Sequence, residues 1–159
     1  MLKEVIELQN NAVNNLVSII DIKNEVTFKA PTGSGKTYMM ADFMNRVLSN
    51  KKDVVFLVSS LSKGSLAQQN YDKFISYSEM GKFSHLKPYL INSEISGEES
   101  LFIPTDNNVY VLPRDLYKKG GRLMQGAMEQ FLNTLTLNKV FGRFRKRNLF
   151  SKRWMPCCY

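Results

Sequence analysis

The chain has 159 residues, of which 43% are hydrophobic and 23% are charged, as is typical of one globular domain rather than a disordered chain. No apolar run approaches the roughly 20 residues that a transmembrane helix needs, and the charged N-terminus lacks the apolar region of a secretory signal. The adjacent Cys157 and Cys158 form neither a disulfide framework nor a metal site. These features predict a cytoplasmic protein that has no membrane partner.

The net charge of +8 is concentrated at one end of the chain, in residues 139–159. This segment contains no Asp or Glu. The residues before it are nearly neutral, so the basic balance of the whole chain does not argue for nucleic-acid binding. The basic residues of the segment are Lys139, Arg143, Arg145, Lys146, Arg147, Lys152 and Arg153.

Hydrophobic periodicity predicts helices and strands that alternate along the chain. An order of this kind favours an α/β domain with a largely parallel sheet. The continuous apolar run at 54–58 is typical of a central strand that is covered on both faces. The short β-rich run at 26–30 is typical of a buried strand. The predicted elements are helices over 4–20, 36–48, 63–77 and 115–137, and strands over 26–30, 54–58, 89–91 and 109–112.

The strongest motif is Ala-Pro-Thr-Gly-Ser-Gly-Lys-Thr at residues 30–37, called here the phosphate loop. It follows a predicted strand and opens a predicted helix, which is the context that a phosphate-binding loop requires. Its glycines let successive N–H groups face one anion, and the helix N-terminus favours the same phosphates. The motif therefore predicts binding of a nucleotide together with Mg²⁺, although Ala30 replaces the usual first glycine. The predicted nucleotide-binding residues are Thr32, Gly33, Ser34, Gly35, Lys36 and Thr37, with Lys36 on the β- and γ-phosphates and the Thr37 hydroxyl on Mg²⁺.

The amino-acid sequence of this motif resembles motif I of superfamily 2 helicases. Within these helicases it is most similar to the branch that contains the type III restriction enzyme motor. The resemblance covers roughly residues 5–137. It implies an incomplete three-layer P-loop NTPase (RecA-like) sandwich, DNA as a partner of the intact motor, and a modification or restriction partner subunit. In such families a glutamine near the position of Gln9 recognises adenine, whereas the same residue is also typical of a solvated helix face.

Two further segments resemble DNA-contacting motifs of these helicases. The strand at 54–58 leads into a hydroxyl-rich segment like motif Ia, in which hydroxyls, a lysine and helix N–H groups suit phosphate; an ordinary helix cap is the alternative. The basic segment after 109–112 occupies the place of motif Ib, and a solvated charge cluster is its alternative. The candidate nucleic-acid contacts are Ser59, Ser60, Lys63, Lys118, Lys119 and Arg122.

The acidic pair that such a motor needs to hold Mg²⁺ and polarise water is missing, because no Asp-Glu dipeptide occurs in the sequence. Asp115 is a weak substitute for the Mg²⁺ ligand, and the catalytic residues stay unassigned. We therefore predict a truncated ATP-binding domain over residues 1–138 that does not hydrolyse ATP alone, followed by an out-of-frame tail over 139–159. The tail is also typical of a nucleic-acid-binding arm or of a membrane-surface segment.

Two functions of other classes remain as alternatives. One is a small P-loop kinase, although the sequence shows neither lid arginines nor a substrate aspartate. The other is a non-catalytic protein that binds nucleic acid through the basic tail. Deletion of 139–159 and Lys36→Ala distinguish them, because the first change affects only a tail function and the second only nucleotide binding.

Overall fold

A computed structural model describes residues 2–23, 25–59, 65–91, 104 and 106–113 of the chain. Within these ranges helices and strands follow one another in an α/β order, as the periodicity predicts. Most helices and strands begin and end within two residues of their predicted ends. The last described strand has both of its predicted ends. The elements are α1 (Leu2–Ile19), α2 (Lys36–Asn50), β1 (Phe56–Ser59), α3 (Ser65–Glu79), β2 (Pro88–Leu90) and β3 (Val109–Leu112).

The described strands form one sheet in the order β1-β3-β2, and both pairings are parallel. Phe56 and Pro88 both lie in register with Val109 at the start of β3. The largely parallel sheet predicted from the sequence is therefore confirmed. The prediction of a central strand at 54–58 is wrong for the described sheet, because β1 lies at its edge and only alternate residues are buried. The central strand is β3, which is buried along its whole length.

The segment before the phosphate loop is also different from its prediction. Residues 26–30 have no regular secondary structure, and the Phe28 side chain is 41% exposed, so the predicted buried strand is wrong. A β-strand is defined by its hydrogen bonds to a neighbouring strand, and none of the described strands pairs with this segment. A β-rich composition cannot supply that neighbour.

The core lies between the helices and one face of the sheet. Val109 and Val111 of β3 join helical side chains in one apolar cluster, and the rings of Phe43 on α2 and Phe56 on β1 meet at 5.9 Å between centroids. On the other face of β3, the buried Tyr110 donates its hydroxyl to the Pro104 carbonyl at 2.7 Å. Helices packed on a parallel sheet are compatible with part of a RecA-like P-loop fold.

Several predictions lie outside the described residues: the helix over 115–137, Asp115, and the tail over 139–159. Within the described part of the chain, no helix combines the length and the apolar character that crossing a membrane requires.

Candidate nucleotide-binding site

The phosphate loop turns into α2 through two glycines in the left-handed region. Gly33 and Gly35 both have φ of 82°, a conformation that costs residues with a Cβ about 1–2 kcal/mol. Between them, the Ser34 N–H donates to the Pro31 carbonyl at 3.3 Å. Gly35 is the N-cap of α2, and no side chain caps the helix there. The loop thus places its backbone beside an uncapped helix N-terminus, where N–H groups and the helix dipole favour an anion.

Cationic and polar side chains complete the loop. Lys36 is half-buried and its Nζ donates to the Ala30 carbonyl at 2.8 Å. The Ser34 hydroxyl is buried and makes no hydrogen bond, which costs about 1–3 kcal/mol relative to a satisfied group. No acidic residue occurs in residues 26–41, which contain Lys29 and Lys36. An orphaned hydroxyl, a lysine and left-handed glycines fit a phosphate group.

Gln9 reaches this loop from α1. Its side-chain Nε2 donates to the Ser34 carbonyl at 2.9 Å. The approach is so close that a Cβ at Gly35 would lie 2.7 Å from the same nitrogen. The structure therefore brings together two sites that the sequence separates by 25 residues. A glutamine beside a phosphate loop can hydrogen-bond a base edge, because its carboxamide both donates and accepts.

The remaining predicted site residues have these positions. Thr32 is exposed in the loop, and Thr37 is half-buried in the first turn of α2. Ser59 is half-buried at the carboxyl end of β1, in register with Leu112. The other candidate nucleic-acid contacts, Ser60, Lys63, Lys118, Lys119 and Arg122, lie outside the described residues.

Sequence reasoning missed a polar network that joins α1 to α2, called here the Arg46 network (Asn10, Asn14, Asp42 and Arg46). Arg46 donates to both carboxylate oxygens of Asp42, through Nε at 2.8 Å and through Nη2 at 2.5 Å. It also donates to the side-chain oxygens of Asn14 at 2.7 Å and Asn10 at 2.9 Å. The hydrogen bond to Asp42 raises the pKa of Arg46. The four-residue spacing of Asp42 and Arg46 signals a pair on one helix, but not the contacts across to α1.

A glycine loop that opens a helix, in a fold with an all-parallel sheet, defines the P-loop class of protein. The sequence model of the family described as "Type III restriction enzyme, res subunit" matches residues 2–133, so the chain belongs to this family. The resemblance inferred from the motifs is thereby confirmed. The family is helicase-like and ATP-dependent, usually with Mg²⁺, and its enzymes act on DNA with a modification subunit. Searches of curated proteins and of solved structures found no match to the chain.

Proposed function

We propose that this chain is the ATP-binding portion of a restriction-type DNA motor and that the nucleotide phosphates bind the loop at 30–37. The observation that carries the proposal is the loop itself: Gly33 and Gly35 are left-handed, and between them the Ser34 hydroxyl is buried without a partner. A phosphate oxygen that enters the loop offers this hydroxyl an acceptor. The family to which the chain belongs is ATP-dependent, and this supports ATP as the ligand.

Each side chain of the site has a proposed part in holding the nucleotide. Lys36 gives up its hydrogen bond to the Ala30 carbonyl and directs its ammonium to the β- and γ-phosphates. The Thr37 hydroxyl holds Mg²⁺, which neutralises phosphate charge when bound. Gln9 donates to and accepts from the adenine edge, and Thr32 with the loop backbone borders the phosphates. These roles follow the resemblance to superfamily 2 helicases, and the position of Gln9 beside Ser34 supports its part.

Turnover is a separate matter from binding. The sequence contains no Asp-Glu dipeptide, which in such motors supplies the Mg²⁺ ligand and the group that polarises water. We propose that residues 1–138 bind Mg·ATP and that this chain does not hydrolyse it alone. The expected result is stoichiometric ATP binding without phosphate release.

DNA contact belongs to the same proposal. Ser59 stands at the carboxyl end of β1, where ligands commonly bind in parallel sheets. We propose that Ser59, Ser60 and Lys63 contact a DNA phosphate, and that Lys118, Lys119 and Arg122 add a second contact. Such contacts position a strand without reading its sequence. The proposed protein partner is a modification or restriction subunit, and the modification subunit of the family's enzymes supports this part of the proposal.

Equilibrium dialysis of the full chain against Mg·ATP tests the proposal. Lys36→Ala removes a charge-assisted hydrogen bond worth about 1.5–3 kcal/mol, so we expect its ATP affinity to fall about 10- to 100-fold. Lys29→Ala is the matched control, because Lys29 is exposed beside the loop and carries the same charge. Equal affinities of the wild type and Lys36→Ala would show that the phosphates bind elsewhere.

A second candidate function is nucleic-acid binding through residues 139–159, favoured by the concentration of basic residues in that segment. Such binding releases counterions and weakens steeply with salt. Fluorescence anisotropy with a labelled DNA duplex at low and high salt measures it. Loss of binding on deletion of 139–159, with ATP affinity unchanged, would assign DNA contact to the tail.

A further inference from the structure

The N-terminal half of α1, which carries Gln9, has little apolar anchorage. Val5, Ile6 and Leu8 are 44%, 49% and 69% exposed, and no described side chain before Ala12 belongs to the core or packs against it. The apolar contacts of α1 begin at Ala12 and Val13 and continue toward its C-terminal end. Burial therefore fixes the second half of the helix and leaves the position of Gln9 to polar contacts.

The Arg46 network supplies polar contacts beside Gln9. Arg46 lies on α2, the helix that the phosphate loop opens, and it donates to Asn10, the residue after Gln9. It also donates to Asn14, four residues further along the same face of α1. Two contacts one turn apart resist both rotation and sliding of a helix. The hydrogen bond of Gln9 itself to Ser34 adds a polar contact in this half of α1.

Asp42 makes the arrangement specific for arginine. Its carboxylate accepts from Nε and Nη2 of Arg46 and so orients the plane of the guanidinium. The remaining donors then point across to α1, since the guanidinium presents five N–H groups in a fixed fork. The lysine ammonium has three N–H donors on a flexible stem, so it cannot reproduce the four hydrogen bonds that Arg46 makes.

We infer that Arg46 is a positioning residue for base recognition: by holding Asn10 and Asn14, it sets the register in which Gln9 meets the nucleotide base. The inference rests on the proposed function, because it requires ATP in the loop and its adenine at Gln9. Arg46 itself touches no nucleotide. Loss of the Arg46 network therefore weakens discrimination between bases more than it weakens phosphate binding.

The test compares the affinities of the full chain for Mg·ATP and Mg·GTP and uses their ratio as the readout. Arg46→Lys retains a cation beside Asp42 but loses the fork. Asn10→Ala/Asn14→Ala removes only the α1 side of the network, at exposed positions where alanine favours the helix. Lys51→Met is the matched control, because it removes an ion pair with Asp21 that lies beyond the other end of α1, far along the helix from Gln9. Thermal unfolding measured by circular dichroism establishes that each variant is folded.

We expect the ATP:GTP preference to fall about fivefold in Arg46→Lys and in the double asparagine variant, as loss of about one hydrogen bond to the base predicts. The preference stays unchanged in Lys51→Met. Equal losses of ATP and GTP affinity, with their ratio retained, would mean that Arg46 only stabilises the fold and would overturn the inference.

The controls separate this failure from that of the proposed function. If Gln9→Ala abolishes the preference while both network variants retain it, the positioning role of Arg46 is wrong and the nucleotide site stands. If the wild type binds no ATP, or Lys36→Ala binds it equally well, the proposed function is wrong and the inference falls with it. If the wild type binds ATP but does not prefer ATP to GTP, base recognition by Gln9 and the positioning role of Arg46 are both wrong. The assignment of the phosphates to the loop then stands.

Discussion

The sheet core and the phosphate-loop region are held together by different forces. On the face of β3 that the helices cover, the contacts are apolar, and Val109, Val111 and Phe74 are fully buried. Around the loop they are hydrogen bonds between distant side chains and backbone, with Gln9 on Ser34 and Lys36 on Ala30. Apolar burial is non-directional and supplies most of the folding free energy, whereas hydrogen bonds add little net stability but fix geometry. Truncations in the core are therefore expected to cost the most stability, whereas substitutions of the polar side chains at the site mainly change recognition.

The largest expected effect is in the core. Phe74→Ala deletes a fully buried ring of α3, and such truncations cost about 3–5 kcal/mol. Phe28→Ala, at the 41% exposed phenylalanine before the loop, is expected to cost less than about 1 kcal/mol. Urea unfolding followed by circular dichroism measures both. Similar losses in the two variants would mean that the loop region is as much a part of the core as α3.

The two left-handed glycines of the loop are expected to differ in the cost of a side chain. A Cβ at position 33 would have no neighbouring atom within 4 Å. Gly33→Ala is therefore expected to lower the free energy of unfolding only by the backbone strain of about 1–2 kcal/mol. Gly35→Ala carries the same strain and also displaces Gln9, whose Nε2 lies 2.7 Å from the new Cβ, so we expect about 1 kcal/mol more. Urea unfolding gives the stabilities, and dialysis gives the ATP:GTP preference. Only Gly35→Ala should lower that preference; a loss in both variants would contradict the contact with Gln9.

A smaller effect is expected on the other face of β3. Burial, with a contribution from Asp106, raises the pKa of Tyr110 to about 12, above the ordinary value of 10.0. A raised folded-state pKa of a phenol stabilises the fold below the unfolded pKa, and this stability is lost as the pH rises from 10 toward 12. Tyr110→Phe loses hydrogen bonds to the Pro104 and Asn107 carbonyls and should cost about 1 kcal/mol near neutral pH. Urea unfolding across this pH range should show less alkaline loss in the variant; parallel curves would contradict the shift.

The smallest effect is expected at the surface. Lys51→Met breaks the ion pair with Asp21, whose side chain is largely exposed, and such pairs contribute about 0–1 kcal/mol. Thermal unfolding at low and high salt measures the contribution. A loss well above 1 kcal/mol that disappears with salt would show that charge, and not burial, fixes the C-terminal half of α1.

The sequence predicted what depends on neighbours in the chain. The helical period gave α2, the apolar run gave β3 at its observed bounds, and the motif gave the loop with its two left-handed glycines. It failed where the outcome depends on distant partners. Residues 26–30 have the composition of a strand but no described strand beside them.

The same limit applies to the candidate site. Arg46 meets Asn14 and Asn10 across 32 and 36 residues of sequence, and no local pattern encodes such contacts. Only the family resemblance points to Gln9 in the sequence, and the structure adds its contact with Ser34. Polar contacts of this kind depend on side-chain geometry rather than periodicity, so they are the part of a site that a single sequence reveals least.

Amide hydrogen exchange with and without Mg·ATP tests whether the nucleotide binds the phosphate loop, because it locates the ligand on the chain. We expect slower exchange in residues 33–37 and in the part of α1 around Gln9, with little change in β2 and β3, which their pairing in the sheet already protects. Lys36→Ala at the same ATP concentration should lose this protection, whereas Lys29→Ala should retain it. Unchanged exchange at 33–37 in the presence of saturating ATP would contradict the assignment of the nucleotide site to the phosphate loop.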